Sequence, residues 1–337
     1  DYNDEQDENM ELAKGASING DCFEMLYLDE DAQIRFTKVP PDGCIYICET
    51  GYNTPMAAIR IVYSKDKDKN IIKKVEFWTA QDCWYFRSIN GGALELLDIH
   101  RVAVIATASL RNVTNTDQAV RELQQATGFP VTVLSGQQEA RLGYAGAMEE
   151  LHLKSGVFVD VGGASTEVVA FQGGQVVDSA SFAVGSLSLY RTCVKKILPG
   201  PGSLERIRHT LRREMDEKGL DPKEKRSPLV GVGGTARAVL KLARQRFDLD
   251  GDCRTVTRAQ LEELVNLLTQ GEREAAGLIL KTAPDRIHTL VPGLMVLVHI
   301  IKAFHADELV VSRYGVREGY LCQMLQTPAA HIRRTGN

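Results

Sequence analysis

The stretch FVDVGGASTEVVAF, residues 158–171, sets one carboxylate, two glycines, two hydroxyls and a second carboxylate between apolar ends. Asp160 closes a strand of Phe and Val, Gly162-Gly163 supplies a tight turn, and Ser165-Thr166 leads into a second strand. A turn without Cβ atoms lets main-chain N–H groups approach a phosphate closely. The Ala164 N–H and the hydroxyls of Ser165 and Thr166 can complete such a cradle. Asp160 would repel the phosphate unless a cation lay between them, which makes Mg²⁺ or its water shell the natural partner. Because the turn joins strand to strand, it is neither a P-loop nor a dinucleotide-binding turn, both of which open a helix. A plain hairpin with a capping Asp fits the same residues equally well.

Three further stretches carry possible chemistry. In PLVGVGGTARAVLKL, residues 228–242, a strand runs into Gly233-Gly234-Thr235 and a helix begins. Bare N–H groups at such a start favour an anion, or Thr235 is simply an N-cap. In VLSGQQEARLGYAG, residues 133–146, Ser135 and Gln138 fit a capping box. Glu139 then lies in the first helical turn, where it either complements the helix dipole or acts as a general base that orients water toward phosphorus. In ELVVSRYGVREGYL, residues 308–321, Arg313 and Arg317 have the guanidinium geometry that holds phosphate oxygens, or form surface ion pairs, for instance with Glu318. His288, His299 and His305 lack ligand spacing and read as structural.

The elements that must position these residues change character along the chain. Residues 1–14 are acidic and predict a short exposed helix. Alternating strands then follow to about residue 97, broken by turn signals at 29–31, 40–43, 65–70 and 90–92. From residue 101 strands alternate with long helical segments, the pattern of an α/β fold with mixed sheets. The 337 residues suggest two or three domains. A hydrophobic fraction of 44% and a charged fraction of 25% are those of a soluble globular protein. The net charge of −4 gives no basic field for nucleic acid. No leader and no long apolar run is read in the sequence, so the expectation is a cytoplasmic protein without a membrane partner. The start at Asp1 reads as a processed chain or a fragment. Seven scattered cysteines do not suggest a disulfide scaffold. Cys44 and Cys48, the one close pair, fit two strand cysteines near a turn better than a zinc pair.

Six motifs in order resemble the exopolyphosphatase / guanosine pentaphosphate phosphatase (Ppx/GppA) family of the actin-like ATPase superfamily. They are ATASLRNVTN (106–115), VLSGQQEARLGYAG, VDVGGASTEVV, GVGGTARAV, DRIHTLVPGL (285–294) and SRYGVREGYL, and they span about residues 101–325. The resemblance implies two RNase-H-like domains around a cleft that hydrolyses phosphoanhydrides with Mg²⁺, acting on polyphosphate or a guanosine polyphosphate, as a homodimer at most. By motif, Glu139 resembles the catalytic carboxylate. Asp160, Gly162, Gly163, Ala164, Ser165 and Thr166 resemble the second phosphate loop with its metal-bearing Asp, and Gly233 and Gly234 a later turn of the second domain. Arg111 lies in a motif that lines the cleft, and the resemblance places it among the phosphate-binding residues.

One family feature is displaced. Members open with a first phosphate loop, Asp-x-Gly-Ser-Asn-Ser, and the nearest stretch here is CETGYNT, residues 48–54. Residues 1–99 instead resemble the β-rich wing region of a tailed-phage portal protein, and CETGYNT then belongs to that module. The expected organisation is a β-rich module at 1–99, a remnant of the first RNase-H-like domain at 100–150, the second domain at 151–325 and a tail at 326–337. This is an actin-like phosphatase fold with its first domain truncated. The expected activity is release of terminal phosphate, weakened by the missing loop. The alternatives are a structural portal-like piece or a non-catalytic polyphosphate- or nucleotide-binding module.

Overall fold

The computed structural model describes residues 23–28, 34–39, 43–48, 55–79, 83–97, 103–111, 113–218, 225–270 and 272–326. The helix expected over 1–14 and most of CETGYNT lie outside them. The chain divides into two compact units, Asp1–Val102 and Ala103–Asn337.

The described residues of the first unit are built of β-strands and their turns. Strands β1 (Phe23–Leu28) and β2 (Ile34–Val39) form an antiparallel hairpin. Strands β3 (Cys44–Cys48), β4 (Pro55–Lys65), β5 (Ile71–Thr79), β6 (Cys83–Ile89) and β7 (Glu95–Leu96) form a five-stranded meander in sequence order. Its turns follow the punctuation of the sequence. Asp66 Oδ1 accepts from the N–H groups of Asp68 and Asn70, and Gly91 takes a φ of 77° beside Asn90. Register partners supply the cross-strand contacts. Arg60 pairs with Glu76 at 3.2 Å, and the rings of Phe77 and Trp84 lie 5.4 Å apart. The strands on either side of residues 49–54 therefore belong to this antiparallel sheet.

The second unit begins with two parallel strands, β8 (Val104–Ala106) and β9 (Val131–Val133). Helices α1 (Ala108–Arg111) and α2 (Thr116–Thr127) connect them, and Gly128 ends α2 at a φ of 72°. Helix α3 (Gly136–Leu151) follows. Six strands then form one mixed sheet: β10 (Ser155–Val161), β11 (Thr166–Gln172), β12 (Gln175–Phe182), β13 (Leu229–Val232), β14 (Thr255–Thr257) and β15 (Glu308–Val311). Their order is β12-β11-β10-β13-β15-β14. The first three are antiparallel neighbours, and β13 and β15 add parallel to β10. This is the RNase-H-like order.

Strand alternation divides the sheet's two faces. Val157, Val159 and Val161 of β10 enter the large core. That core also takes in residues of α4 (Ser186–Cys193), α5 (Pro201–Lys218), α6 (Gly233–Phe247), α7 (Arg258–Gln270), α8 (Glu272–Thr282) and α9 (Leu290–Ala303). Phe158, Val169, Phe171, Val230 and Val232 point the other way, onto Ala140, Tyr144 and Ala147 of α3. Helix α10 (Val316–Gln326) packs on α3. Among the described residues no helix is long and apolar enough to cross a membrane.

The strong periodic segments of the sequence reappear as these elements. Helices α1, α4, α8 and α10 and strand β14 are not among the segments read as helix or strand from the sequence. Each is short or lacks a clear apolar period, and tertiary packing holds it.

Candidate active site

Register builds the site. Asp160 of β10 pairs with Glu167 of β11, which pairs with Ser181 of β12. The row lies on the face that α3 covers, since Asp160 shares parity with Phe158 and Glu167 with Val169. The capping box expected at Ser135 forms. Gln138 N–H donates to Ser135 Oγ at 3.2 Å, and Ser135 N–H donates to Gln138 Oε1 at 2.8 Å. It fixes the start of α3 above Ser181, because a side chain at Gly136 would collide with Ser181 Oγ. One residue past the box comes Glu139, which is buried.

Arg111 joins these carboxylates. Its Nη1 donates to Glu139 Oε2 and to the Leu134 carbonyl, both at 2.8 Å, and its Nη2 lies 3.6 Å from Glu167 Oε1. The cleft-lining arginine expected to touch phosphate is thus engaged by two carboxylates, because the end of α1 faces the capped start of α3. Glu167 is 1% exposed, and Ser181 Oγ donates to its Oε1 at 2.9 Å. Burial, reinforced by the charge of Glu139, pushes the Glu167 carboxyl up to about 8, against the pull of the Ser165 and Ser181 hydroxyls. Burial followed by the Glu139 charge pushes Asp160 up to about 6, with Arg237 opposing.

The turn between β10 and β11 is braced from behind. Ser186 N–H donates to the Gly162 carbonyl, and the N–H groups of Leu187 and Ser188 donate to the Gly163 carbonyl, all at 2.9 Å. The start of α4 thus holds the turn's carbonyls, and the turn packs on Gly185, where a Cβ would lie 2.7 Å from the Ala164 nitrogen. Among the described residues the N–H groups of Gly163, Ala164 and Ser165 have no protein acceptor, and Gly163 is exposed. Two expectations about hydroxyls change. Thr166 is buried, and its Oγ1 donates to the Val184 carbonyl at 2.7 Å. Ser165 is also buried, with its hydroxyl acting on Glu167. The two hydroxyls are thus engaged within the protein, while the main-chain N–H groups of residues 163–165 are not.

The second glycine turn meets the first at Asp160. Gly233 opens α6 at a φ of 77°, and a Cβ there would lie 2.8 Å from Asp160 Oδ1. Thr235 is not the cap of α6, which is Val232. Its Oγ1 donates to the Val161 carbonyl at 3.0 Å and ties α6 to β10. The positive start of α6 therefore opens beside the Asp160 carboxylate.

Arg313 lies elsewhere. It pairs with Glu150 at 2.7 Å, while Glu318 accepts the N–H of Gly315. His288 stacks on Tyr190 with centroids 4.8 Å apart, and burial lowers the pKa of His299. The residue the sequence left without a role is Glu167. A lone Glu in the buried strand TEVVAFQ was its signal.

A divalent cation suits the donor set around Asp160. The carboxyl oxygens are hard ligands, and burial beside Glu139 raises both Asp160 and Glu167, so a cation held there would favour their charged forms. Among the described residues no group of three His, Cys, Asp or Glu side chains forms a metal cage. Asp160 would thus share Mg²⁺ with water and phosphate oxygens, the usual arrangement for this ion.

Comparison with known proteins places this geometry. The family model described as phage portal protein, SPP1 Gp6-like, matches residues 1–126. The chain is similar to a Haemophilus influenzae protein that carries an exopolyphosphatase designation, with 25% identity over 230 residues, covering 68% of this chain and 70% of the relative. It is similar in fold to the Aquifex aeolicus Ppx/GppA enzyme, with a TM-score of 0.57 at 20% identity over 75% of this chain and 95% of that one. An exopolyphosphatase from Cytophaga hutchinsonii gives a TM-score of 0.59 at 15% identity, over 80% and 94% of the two chains. The model of the Ppx/GppA phosphatase family matches residues 93–328, and the chain belongs to that family.

Proposed function

We propose that the protein hydrolyses a phosphoanhydride, releasing the terminal phosphate of polyphosphate or of pppGpp. The observation that carries this reading is the placement of Glu139. Arg111 holds its carboxylate on the sheet face that bears Asp160, at the root of a turn whose Gly163, Ala164 and Ser165 N–H groups have no protein acceptor among the described residues. The N–H groups of Gly163, Ala164 and Ser165 would take the non-bridging oxygens of the terminal phosphoryl group. The turn at Gly233-Gly234 would extend the same positive main-chain surface. Glu139 would orient a water and take its proton as the oxygen bonds to phosphorus. The bridging oxygen would leave with the electron pair of the broken P–O bond. Mg²⁺, when held by Asp160, supplies charge neutralisation on the phosphoryl oxygens.

The phosphatase unit has one such loop among its described residues, since β8 and β9 are parallel and carry no hairpin turn. We expect turnover to be slowed by about a hundredfold or more, the cost of losing transition-state donors. The test is phosphate release from polyphosphate and from pppGpp in parallel, for the wild-type chain and Glu139→Ala. Slow release that the variant abolishes supports the reading. Release at the rate of a two-loop enzyme contradicts the impairment, and release unchanged by Glu139→Ala contradicts the site.

The portal match over residues 1–126 favours a second reading, assembly through the N-terminal module with the phosphatase unit as passenger. Solution mass separates the two. A large ring supports assembly, and a monomer or dimer removes it.

A further inference from the structure

The far end of α3 carries a second carboxylate, half-buried and held by four hydrogen bonds. Glu150 Oε1 accepts from Arg254 Nη2 at 2.8 Å and from Arg313 Nε at 2.7 Å. Glu150 Oε2 accepts from the Ser312 hydroxyl and from the Arg313 N–H, both at 2.8 Å. Arg254 leads into β14, the edge strand farthest from β12, and Ser312 and Arg313 follow its neighbour β15. Burial pushes the Glu150 carboxyl up, but the bonds from Arg313 and Ser312 and the charge of Arg254 outweigh it and hold it below its ordinary value.

Glu150 is eleven residues after Glu139. Eleven residues are about three turns, so both carboxylates lie on nearly one side of the helix, about 16 Å apart along its axis. Between them the backbone is in direct contact with its neighbours. A side chain at Gly146 would collide with the Gly315 carbonyl, one at Gly319 with the Leu142 carbonyl, and one at Gly143 would lie 2.6 Å from Phe158 Cζ. On the side that faces Gly315 and Gly319 the helix therefore meets backbone directly, with no layer of side chains between. It is anchored at its start by Arg111 on Glu139 and at its end by the two arginines on Glu150.

We propose that Glu150 is a positioning residue. Held by Arg254, Ser312 and Arg313, it sets the rotation and axial position of α3, and so the aim of Glu139 at the 162–166 turn. The proposal rests on the role given to Glu139 above, but its first test does not need turnover. Hydrogen exchange would be measured across α3 in the full chain for wild type, Glu150→Gln and Arg313→Ala. The second variant removes one exposed arm of the clamp, which leaves the fold intact should the first fail to fold. The expected result is faster exchange in the first turns, residues 136–142, as well as in the last turn. Faster exchange confined to residues 147–151, or none, overturns the proposal.

Where the wild-type chain turns over substrate, kcat should fall by up to about a hundredfold with KM unchanged, as misplacement of a reacting group predicts. A loss that appears in KM while kcat is unchanged would make Glu150 merely structural. A wild-type chain that releases no phosphate overturns the hydrolase reading and leaves the exchange result to decide this one.

Discussion

Asp160 and Glu167 are register partners across β10 and β11, so two carboxylates share the sheet face that α3 covers. Glu139 adds a third from above, and both strand carboxyls rise in response to burial and to its charge. The arrangement is poor for an isolated fold and good for a site that receives a cation with its substrate.

The first consequence is a pH dependence of stability. Glu167 has a folded value of about 8 against an ordinary 4.5. Stability linked to it is complete below 4.5 and lost as pH rises through about 8, by at most about 1.4 kcal/mol per pH unit. Denaturant melts across this window should show the decline, and Glu167→Gln should flatten it. A wild-type stability that rises over the same window contradicts the raised value that burial gives Glu167.

Arg111→Met should destabilise the protein by about 3 kcal/mol, because it leaves Glu139 and Glu167 facing each other without their shared guanidinium. Adding Glu139→Gln should recover part of that loss. A double-mutant cycle with no coupling between the two positions would show that the pair contributes nothing.

Thr166→Val should lower stability by about 1–3 kcal/mol, since the Val184 carbonyl loses its donor inside the core. Calorimetric affinity for magnesium tripolyphosphate should stay the same. A loss of affinity with unchanged stability would return Thr166 to the phosphate-binding set.

Gly233→Ala meets two obstacles, a left-handed φ and Asp160 Oδ1 at 2.8 Å. It should cost more than about 1 kcal/mol in thermal melts and weaken the stabilisation by Mg²⁺. A variant that melts and binds like wild type would mean that the two glycine turns do not meet at Asp160.

Much of this site could be read along the chain. The glycine turns at 162–163 and 233–234, the Ser135/Gln138 box and the position of Glu139 are local signals, and the fold places them on one sheet and on the helix above it. What sequence could not give is the row Asp160–Glu167–Ser181, since it depends on the register of three strands. Nor could it assign the partner of Arg111, 28 residues from Glu139, or that of Arg313, 163 residues from Glu150. The hydroxyl of Thr166 looked available because its neighbours are small and polar. Its bond to Val184 depends on how β12 turns into α4, a segment with little periodicity of its own.

Calorimetry of magnesium tripolyphosphate binding to the wild-type chain, Asp160→Asn and Glu139→Gln tests the central claim most directly. The account predicts that wild type binds only with Mg²⁺, that Glu139→Gln binds as wild type but releases no phosphate, and that Asp160→Asn does not bind. Binding to Asp160→Asn with wild-type affinity would contradict it.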